Sequence, residues 1–347
     1  MPRTLATVPL LGGAAVFGLL LAVVSPASSA HADAGSLAAT TSVGLHNAYE
    51  KSMYPYFADA LDSGAGLVEI DVWTDDLFRN WRVNHELFGQ SNNCVGATDP
   101  AGLREGGTDK DLRACLTDMR TWHDANPGHR PIVVKIEMKD GFYARGGLGP
   151  VEFDALVDET LGDSVYRPAD LLGDHPTLDA AAVAGNWADR DDLAGRFIIE
   201  LIPGTVERDN PIDDLWTDEE YGRHLRDLAA NGGIDRATAF PAVLDAEAGD
   251  PRERYEDESI RPWFVVFDGA ATAYVEGGGI DTSWYAANNY LLVMTAAHAV
   301  APAIDAVAPG EQEAADRVGQ LAAANASVVT SDWARLDSVL GLVLPRG

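Results

Sequence analysis

Short apolar runs rich in β-branched residues recur along the chain, with longer amphipathic segments between them. Each run is almost continuously apolar, as expected for strands covered on both faces of a sheet. The intervening segments show helical spacing; residues 110–128 place five apolar side chains on one face and stop at Asn-Pro-Gly. The predicted strands are TSVGLH (41–46), GLVEIDVW (66–73), PIVVKIEM (131–138), RFIIELI (196–202), ATAFPAV (237–243), WFVVFDG (263–269), YLLVMTAA (290–297) and SVVTSDW (327–333).

This alternation predicts the fold class. Eight strands with mostly helical connections are typical of a (β/α)8 barrel, the TIM-barrel architecture, built as a single domain. A doubly wound open sheet is the alternative, because strand spacing does not distinguish a closed sheet from an open one. We therefore expect an α/β barrel with its functional residues at the carboxyl ends of the strands.

The first 32 residues have the features of a secretory signal peptide. Arg3 precedes an apolar run, and small residues follow with Ala30-His31-Ala32 as an A-x-A cleavage site. An uncleaved N-terminal anchor is the alternative interpretation. We expect residues 1–32 to be removed and residues 33–347 to form a secreted, extracellular barrel domain.

Charge and cysteine content narrow the function further. The formal net charge of −29 at pH 7 disfavours binding to nucleic acid, which repels acidic surfaces. The two cysteines, Cys94 and Cys115, are predicted to form one disulfide in an exported protein, worth roughly 3 kcal/mol in the chain-entropy model. A catalytic role for one free cysteine is the alternative.

Polar residues interrupt the ends of the first three predicted strands. The first strand ends in His46 and Asn47, and Glu69 and Asp71 alternate in the second, so that both project from the same side. The short run WRVNHE (81–86) supplies His85, and the third strand ends with Glu137 and Lys139. In a closed barrel these side chains would meet at one edge.

The two carboxylates inside an apolar strand need a positive partner, since burying them unpaired costs several kcal/mol. Carboxylate and amide oxygens suit Ca²⁺ or Mg²⁺ and fit zinc poorly. The sequence leaves a second interpretation open, in which the acids form structural ion pairs with Arg79, Arg82 or Lys139. Two histidines beside a hard cation favour acid–base chemistry on a phosphoryl group.

At these residues the chain resembles a known family. LHNAYEKS, ADALDSGAGLVEIDVW, RVNHE and NPGHRPIVVKIEMKD are similar to the catalytic barrel of phosphoinositide-specific phospholipases C, above all the secreted, calcium-dependent bacterial branch. The C-terminal ANASVVTSDW is similar to the last strand of that family. The resemblance implies cleavage of phosphatidylinositol to diacylglycerol and an inositol phosphate, with Ca²⁺ as the cofactor.

The resemblance also implies residue roles. Asn47, Glu69, Asp71 and Glu137 would bind calcium. His46 would contact the phosphoryl oxygens, and His85 would protonate the departing diacylglycerol oxygen after attack by the inositol 2-hydroxyl. The base stays open between a metal-bound carboxylate such as Glu137 and His46 itself. Lys139 is a predicted phosphate or inositol contact, and Asp332 is a candidate for orienting a histidine.

The expected partners follow from the same comparison. The chain has only four lysines, and it lacks a clear match to the basic residues that recognise ring phosphates, which favours unphosphorylated phosphatidylinositol as the substrate. We expect a monomer that touches a membrane surface transiently through exposed apolar side chains. The candidates for this contact are Leu87 and Phe88, or Trp284 and Tyr285.

Two other functions remain as alternatives. A glycerophosphodiester phosphodiesterase also uses a barrel, a hard cation, two histidines and an E-x-D strand, but its first strand normally reads His-Arg-Gly, where this chain has His46-Asn47-Ala48. A catalytically silent barrel that binds inositol lipid is the other alternative. Loss of a histidine would signal it, and both histidines are present.

Overall fold

The computed structural model describes residues 1–2, 35–75, 77–208 and 215–347. Within them, ten strands form a continuous sheet, and eight of these strands run parallel. The strands are β1 (Thr40–Leu45), β2 (Leu67–Asp75), β3 (Asn80–Val83), β4 (Ile132–Met138), β5 (Phe197–Pro203), β6 (Ala239–Leu244), β7 (Val266–Ala270), β8 (Leu291–Thr295), β9 (Val328–Ser331) and β10 (Val343–Pro345).

The parallel strands close into a barrel in the order β1-β2-β4-β5-β6-β7-β8-β9, because β1 pairs with both β2 and β9. These are the eight strands that the apolar runs predict, so the (β/α)8 single-domain barrel is confirmed and the open sheet is excluded. β3 and β10 lie outside the barrel and run antiparallel to β2 and β1, respectively. The antiparallel β10 was not predicted.

Gly44 allows the barrel to close between its first two strands. It pairs with Leu67, and a Cβ atom added at Gly44 would lie 2.7 Å from the Leu67 Cβ, closer than real Cβ atoms approach. Only glycine permits this separation of the backbones. Closure at this point is what brings the end of β1 beside the end of β2.

The helices surround the barrel and follow the predicted apolar spacing. In α2, for example, the Asp111 carboxylate caps the first turn by accepting from the Ala114 N–H at 3.1 Å, and the apolar face is buried. The helices are α1 (Phe57–Asp62), α2 (Leu112–Ala125), α3 (Pro150–Leu161), α4 (Pro168–Leu172), α5 (Leu178–Val183), α6 (Thr205–Arg208), α7 (Thr217–Ala230), α8 (Ala271–Val275), α9 (Thr282–Ala287), α10 (Glu311–Ala323) and α11 (Asp337–Leu340).

Two predictions about the chain as a whole have different outcomes. Cys94 and Cys115 form the predicted disulfide, which joins the loop before α2 to α2 itself. The predicted signal peptide, apart from its first two residues, lies outside the described residues. None of the described helices combines the length and the apolar composition that a membrane span requires.

Candidate metal and phosphoryl-transfer site

Three carboxylates meet at the carboxyl edge of the barrel. Asp71 of β2 is the register partner of Glu137 in β4, and Glu69 lies two residues earlier on the same face of β2. One oxygen from each carboxylate lies within 4.8 Å of the others, a spacing that a single metal ion can bridge. Glu69 and Asp71 are buried. The predicted side-chain cluster is therefore present.

Asn47 completes this cluster from the end of β1. Its backbone has a φ of 53°, a left-handed conformation that asparagine tolerates, and its N–H donates to Glu69 Oε2 at 3.4 Å. The side-chain Oδ1 of Asn47 and the Oδ1 of Asp71 are both buried without a hydrogen-bond partner. Both oxygens are therefore available to coordinate a cation. An all-oxygen set of this kind fits calcium.

Lys139 provides part of the compensating charge. Its Nζ lies 3.2 Å from Asp71 Oδ2 and 2.9 Å from Glu137 Oε1, so the ion-pair interpretation of the sequence is correct for Lys139. Even so, burial raises the pKa of Asp71, and the neighbouring Glu137 and Glu69 carboxylates raise it further, to about 8. Lys139 thus does not offset the repulsion that Asp71 receives from its neighbouring carboxylates, and a divalent cation would do so.

His46 is held between two carboxylates. Its Nδ1 lies 2.7 Å from Asp332 Oδ1, and its Nε2 lies 3.7 Å from Glu69 Oε2. Burial lowers the pKa of His46, but Glu69 and Asp332 outweigh burial and raise the pKa to about 9. The contact with Asp332, from just beyond β9, confirms the predicted pairing of Asp332 with a histidine. It fixes the ring orientation of His46.

The backbone next to His85 is hydrogen-bonded to β2. The preceding Asn84 N–H donates to the carbonyl oxygen of Asp71 at 3.2 Å, which places the backbone before His85 alongside Asp71 in β2. The His85 side chain is 44% exposed, and its Nδ1 lies 3.2 Å from Glu86 Oε1. The imidazole is thus exposed to solvent, and among the described residues its ring-nitrogen partner is Glu86 rather than a member of the carboxylate cluster.

A cavity of about 340 Å³ opens beside this cluster. It lies inside the ring of strand ends, where barrel enzymes bind their substrates. Its ionisable and polar lining residues are His46, Glu69, Lys135, Glu137, Arg208, Asp245, Asp268, Thr295, His298, Ser331 and Asp332.

Known proteins are similar to this chain in sequence and fold. A sequence model of the family described as "Phosphoinositide phospholipase C, Ca2+-dependent" matches residues 102–220. The structure of a Ca²⁺-dependent phosphatidylinositol-specific phospholipase C from Streptomyces antibioticus is 60% identical in sequence, with a TM-score of 0.89 over 90% of this chain and 100% of that one. The chain belongs to the calcium-dependent phosphoinositide phospholipase C family.

A more distant phospholipase C shares the fold. The calcium-dependent phosphoinositol-specific phospholipase C from a Pseudomonas species is 18% identical, with a TM-score of 0.66 over 89% of this chain and 95% of that one. A comparison with curated protein sequences found no match. The fold of this phospholipase C family member is therefore shared well beyond the range of close sequence similarity.

The phospholipase C barrel also contains a buried ionic network that was not predicted from the sequence. Lys135 Nζ lies 3.4 Å from Glu69 Oε1 and 2.8 Å from Asp268 Oδ2. Lys135 and His46 outweigh burial and lower the pKa of Glu69, whereas burial and Asp268 raise the pKa of Glu200. Asp268 and Glu200 are acids inside apolar strands. The same signal identified Glu69, so it could have identified these two residues as well.

Proposed function

We propose that the protein is a calcium-dependent phosphodiesterase that cleaves phosphatidylinositol to diacylglycerol and an inositol phosphate. The observation that carries this proposal is the carboxylate cluster with two unsatisfied buried oxygens directly beside the oriented His46. The similarity to the Streptomyces enzyme, whose substrate is phosphatidylinositol, supports it across the whole barrel.

The proposed ligands for the metal are Asn47, Glu69, Asp71 and Glu137. Bound calcium would neutralise charge on the phosphoryl oxygens and on the attacking hydroxyl. His46 contacts a phosphoryl oxygen in this proposal, and Asp332 keeps its ring in the productive orientation.

Two proton transfers complete the proposed reaction. The inositol 2-hydroxyl loses its proton to Glu137 or His46 and attacks phosphorus, while His85 donates a proton to the diacylglycerol oxygen that leaves. The solvent-facing position of His85 supports this role, since the lipid part of the substrate must extend out of the cavity. Lys139 stays a predicted contact for the phosphate or the ring; its ammonium group lies within 3.2 Å of Asp71 and within 2.9 Å of Glu137.

The charge of the cavity supports an inositol ring without additional phosphates. Its lining carries five carboxylates (Glu69, Glu137, Asp245, Asp268, Asp332) but only two permanent cations, Lys135 and Arg208. Lys135 is paired with Glu69 and Asp268, and Arg208 is paired with Asp245. A ring phosphate entering this cavity would find both of these cations already paired with carboxylates.

One paired assay tests the proposed function. Mature protein is given phosphatidylinositol in mixed micelles or glycerophosphocholine, each with calcium and with a calcium chelator. We expect diacylglycerol release from phosphatidylinositol only when calcium is present. Release of glycerol phosphate instead would favour a glycerophosphodiester phosphodiesterase, and calcium binding without cleavage would favour a silent barrel. Phosphatidylinositol 4-phosphate is the third substrate, and we expect the protein to cleave it slowly. Efficient cleavage would contradict the assignment of unphosphorylated phosphatidylinositol as the substrate.

Exposed apolar side chains beside His85 support a transient membrane contact. Phe88 is 84% exposed, and Leu87 next to it is 45% exposed. Leu77 and Phe78, in the turn between β2 and β3, are 81% and 73% exposed, respectively. The two pairs flank β3 along the chain, and exposed pairs of large apolar side chains of this kind mark interaction surfaces. The other predicted pair does not contribute, because Tyr285 is buried and the Trp284 ring packs 5.1 Å from Tyr290.

Replacing Phe88 with serine should weaken this contact. Loss of a membrane-inserted phenyl ring corresponds to roughly tenfold weaker binding to phosphatidylinositol vesicles. Activity on a monomeric short-chain phosphatidylinositol should stay unchanged. The control is Val183→Ser, which removes a half-exposed apolar side chain from the end of α5, near the opposite face of the barrel. Equal vesicle binding by wild type and Phe88→Ser would refute the contact.

We also propose that the protein acts outside the cell as a monomer after removal of residues 1–32. The disulfide between Cys94 and Cys115 supports export, since such bonds persist in oxidising compartments. N-terminal sequencing of the secreted protein and its molecular mass in solution test both statements.

A further inference from the structure

His298 is a further histidine at the barrel mouth. It follows β8 and lines the same cavity as His46 and Glu137. Its Nδ1 lies 2.8 Å from the hydroxyl oxygen of Ser331, the buried last residue of β9. No part of the reaction proposed above uses this imidazole.

The loop that carries His298 is held in a fixed conformation. Ala296 has a φ of 51° and a ψ of 44°, a left-handed conformation that is unfavourable for alanine. The buried Arg317 of α10 donates to the carbonyl oxygens of Ala297 at 2.5 Å and Pro302 at 2.6 Å. The His298 carbonyl oxygen accepts from the Ile304 N–H at 2.9 Å. Strained backbone braced in this way is typical of functional positions.

The hydrogen bonds around Ser331 fit the tautomer of His298 that carries its proton on Nδ1. The Ser331 hydroxyl donates its proton to the carbonyl oxygen of Ala306 at 3.4 Å, so its oxygen accepts from His298 Nδ1–H. In the neutral ring, Nε2 then carries a lone pair. A lone pair suits a hydroxyl group that donates a hydrogen bond and does not suit a phosphate oxygen. The expected ligand atom is therefore a hydroxyl.

The barrel order places His298 opposite Glu137, one of the proposed metal ligands. β8 is four strands away from β4 in either direction around the ring, so His298 faces Glu137 across the cavity. A substrate whose phosphoryl group lies against the ends of β1, β2 and β4 extends the rest of its polar headgroup into the cavity that His298 lines. For an inositol lipid, that part is the polyhydroxylated ring.

We propose that His298 binds the substrate by accepting a hydrogen bond from an inositol ring hydroxyl at Nε2, with Ser331 as the residue that orients it. This proposal rests on the proposed function and identifies a headgroup contact within it. It makes His298 a binding residue that acts on ground state and transition state alike, so its loss should raise KM and leave kcat nearly unchanged.

The test compares His298→Ala and His298→Gln with wild type. Kinetics on phosphatidylinositol micelles with calcium and calorimetric titration with myo-inositol are measured for each. Loss of one neutral hydrogen bond should raise KM and the myo-inositol Kd by about fivefold in His298→Ala. His298→Gln should restore much of both, because glutamine offers a donor to Ser331 and an acceptor to the cavity. His175→Ala, at a distant partly exposed histidine, is the matched control.

The outcomes separate this inference from the proposed function. Unchanged KM and myo-inositol affinity in a folded His298→Ala variant would overturn the inference, as would wild type that fails to bind myo-inositol. A fall in kcat at constant KM would also overturn the inference, because that result would indicate that His298 takes part in the chemical step. Wild type that binds myo-inositol through His298 but does not cleave phosphatidylinositol would contradict the proposed function alone.

Discussion

Substitution of His85 by alanine should abolish measurable cleavage of phosphatidylinositol, while the affinity for calcium stays almost the same. General acid catalysis contributes about 10²- to 10⁴-fold to rate, and the alkoxide of diacylglycerol is a poor leaving group that requires a proton. Calcium binding should persist because the proposed ligands are Asn47, Glu69, Asp71 and Glu137. Steady-state kinetics and calcium calorimetry measure the two effects.

A substrate with a better leaving group distinguishes proton donation from positioning. An inositol phosphodiester of p-nitrophenol needs no proton on its departing oxygen, so His85→Ala should retain far more activity on it than on phosphatidylinositol. His175→Ala serves again as the control, because it removes an imidazole that is not among the residues that line the cavity. Near-normal cleavage of phosphatidylinositol by His85→Ala would rule out the assignment of His85 as the acid.

The second large effect concerns the metal. Asp71→Asn should raise the calcium concentration that gives half-maximal activity by about 10- to 100-fold, because a charged ligand becomes neutral while its shape is preserved. The fold should survive, since the substitution removes one carboxylate from a group of three that repel one another. Activity and calorimetry across a calcium titration provide the measurement.

The control for this variant is Asp227→Asn. Asp227 lies on α7, where its Oδ1 accepts from Arg226 Nε at 2.8 Å, and it belongs to no part of the cavity lining. Thermal unfolding with a chelator should show that both variants are folded. If Asp71→Asn and wild type give superimposable calcium titrations, Asp71 is not a ligand, and its ion pair with Lys139 is its main interaction.

The apolar pattern along single strands could be read from the sequence. All eight barrel strands coincide with apolar runs, because strands covered on both faces must be apolar almost throughout. The same pattern makes an acid in such a run conspicuous, which identified Glu69 and Asp71. Asp268 and Glu200 carry the same signal in β7 and β5. The pairing of Cys94 with Cys115 was also accessible, since the chain has only two cysteines.

Contacts between distant segments were decided by the tertiary structure. His46 and Asp332 are 286 residues apart, and they meet only because β9 pairs with β1 when the barrel closes. The interaction of Lys135 with Asp268 likewise spans the barrel interior. Strand periodicity reports which face a side chain occupies but not which other strand it faces. Distances across the barrel depend on closure, which spacing does not encode.

The sequence by itself determined the strand pattern, the acids and histidines at the strand ends, and the family resemblance, because each depends on residues close together in the chain. Only the tertiary structure decided that His298 lines the cavity and that Ser331 orients it. A lone histidine after a strand has no local signal that separates a surface position from a binding position. Its surroundings arise from β8, β9 and α10 packing together, and those contacts exist only in the folded barrel.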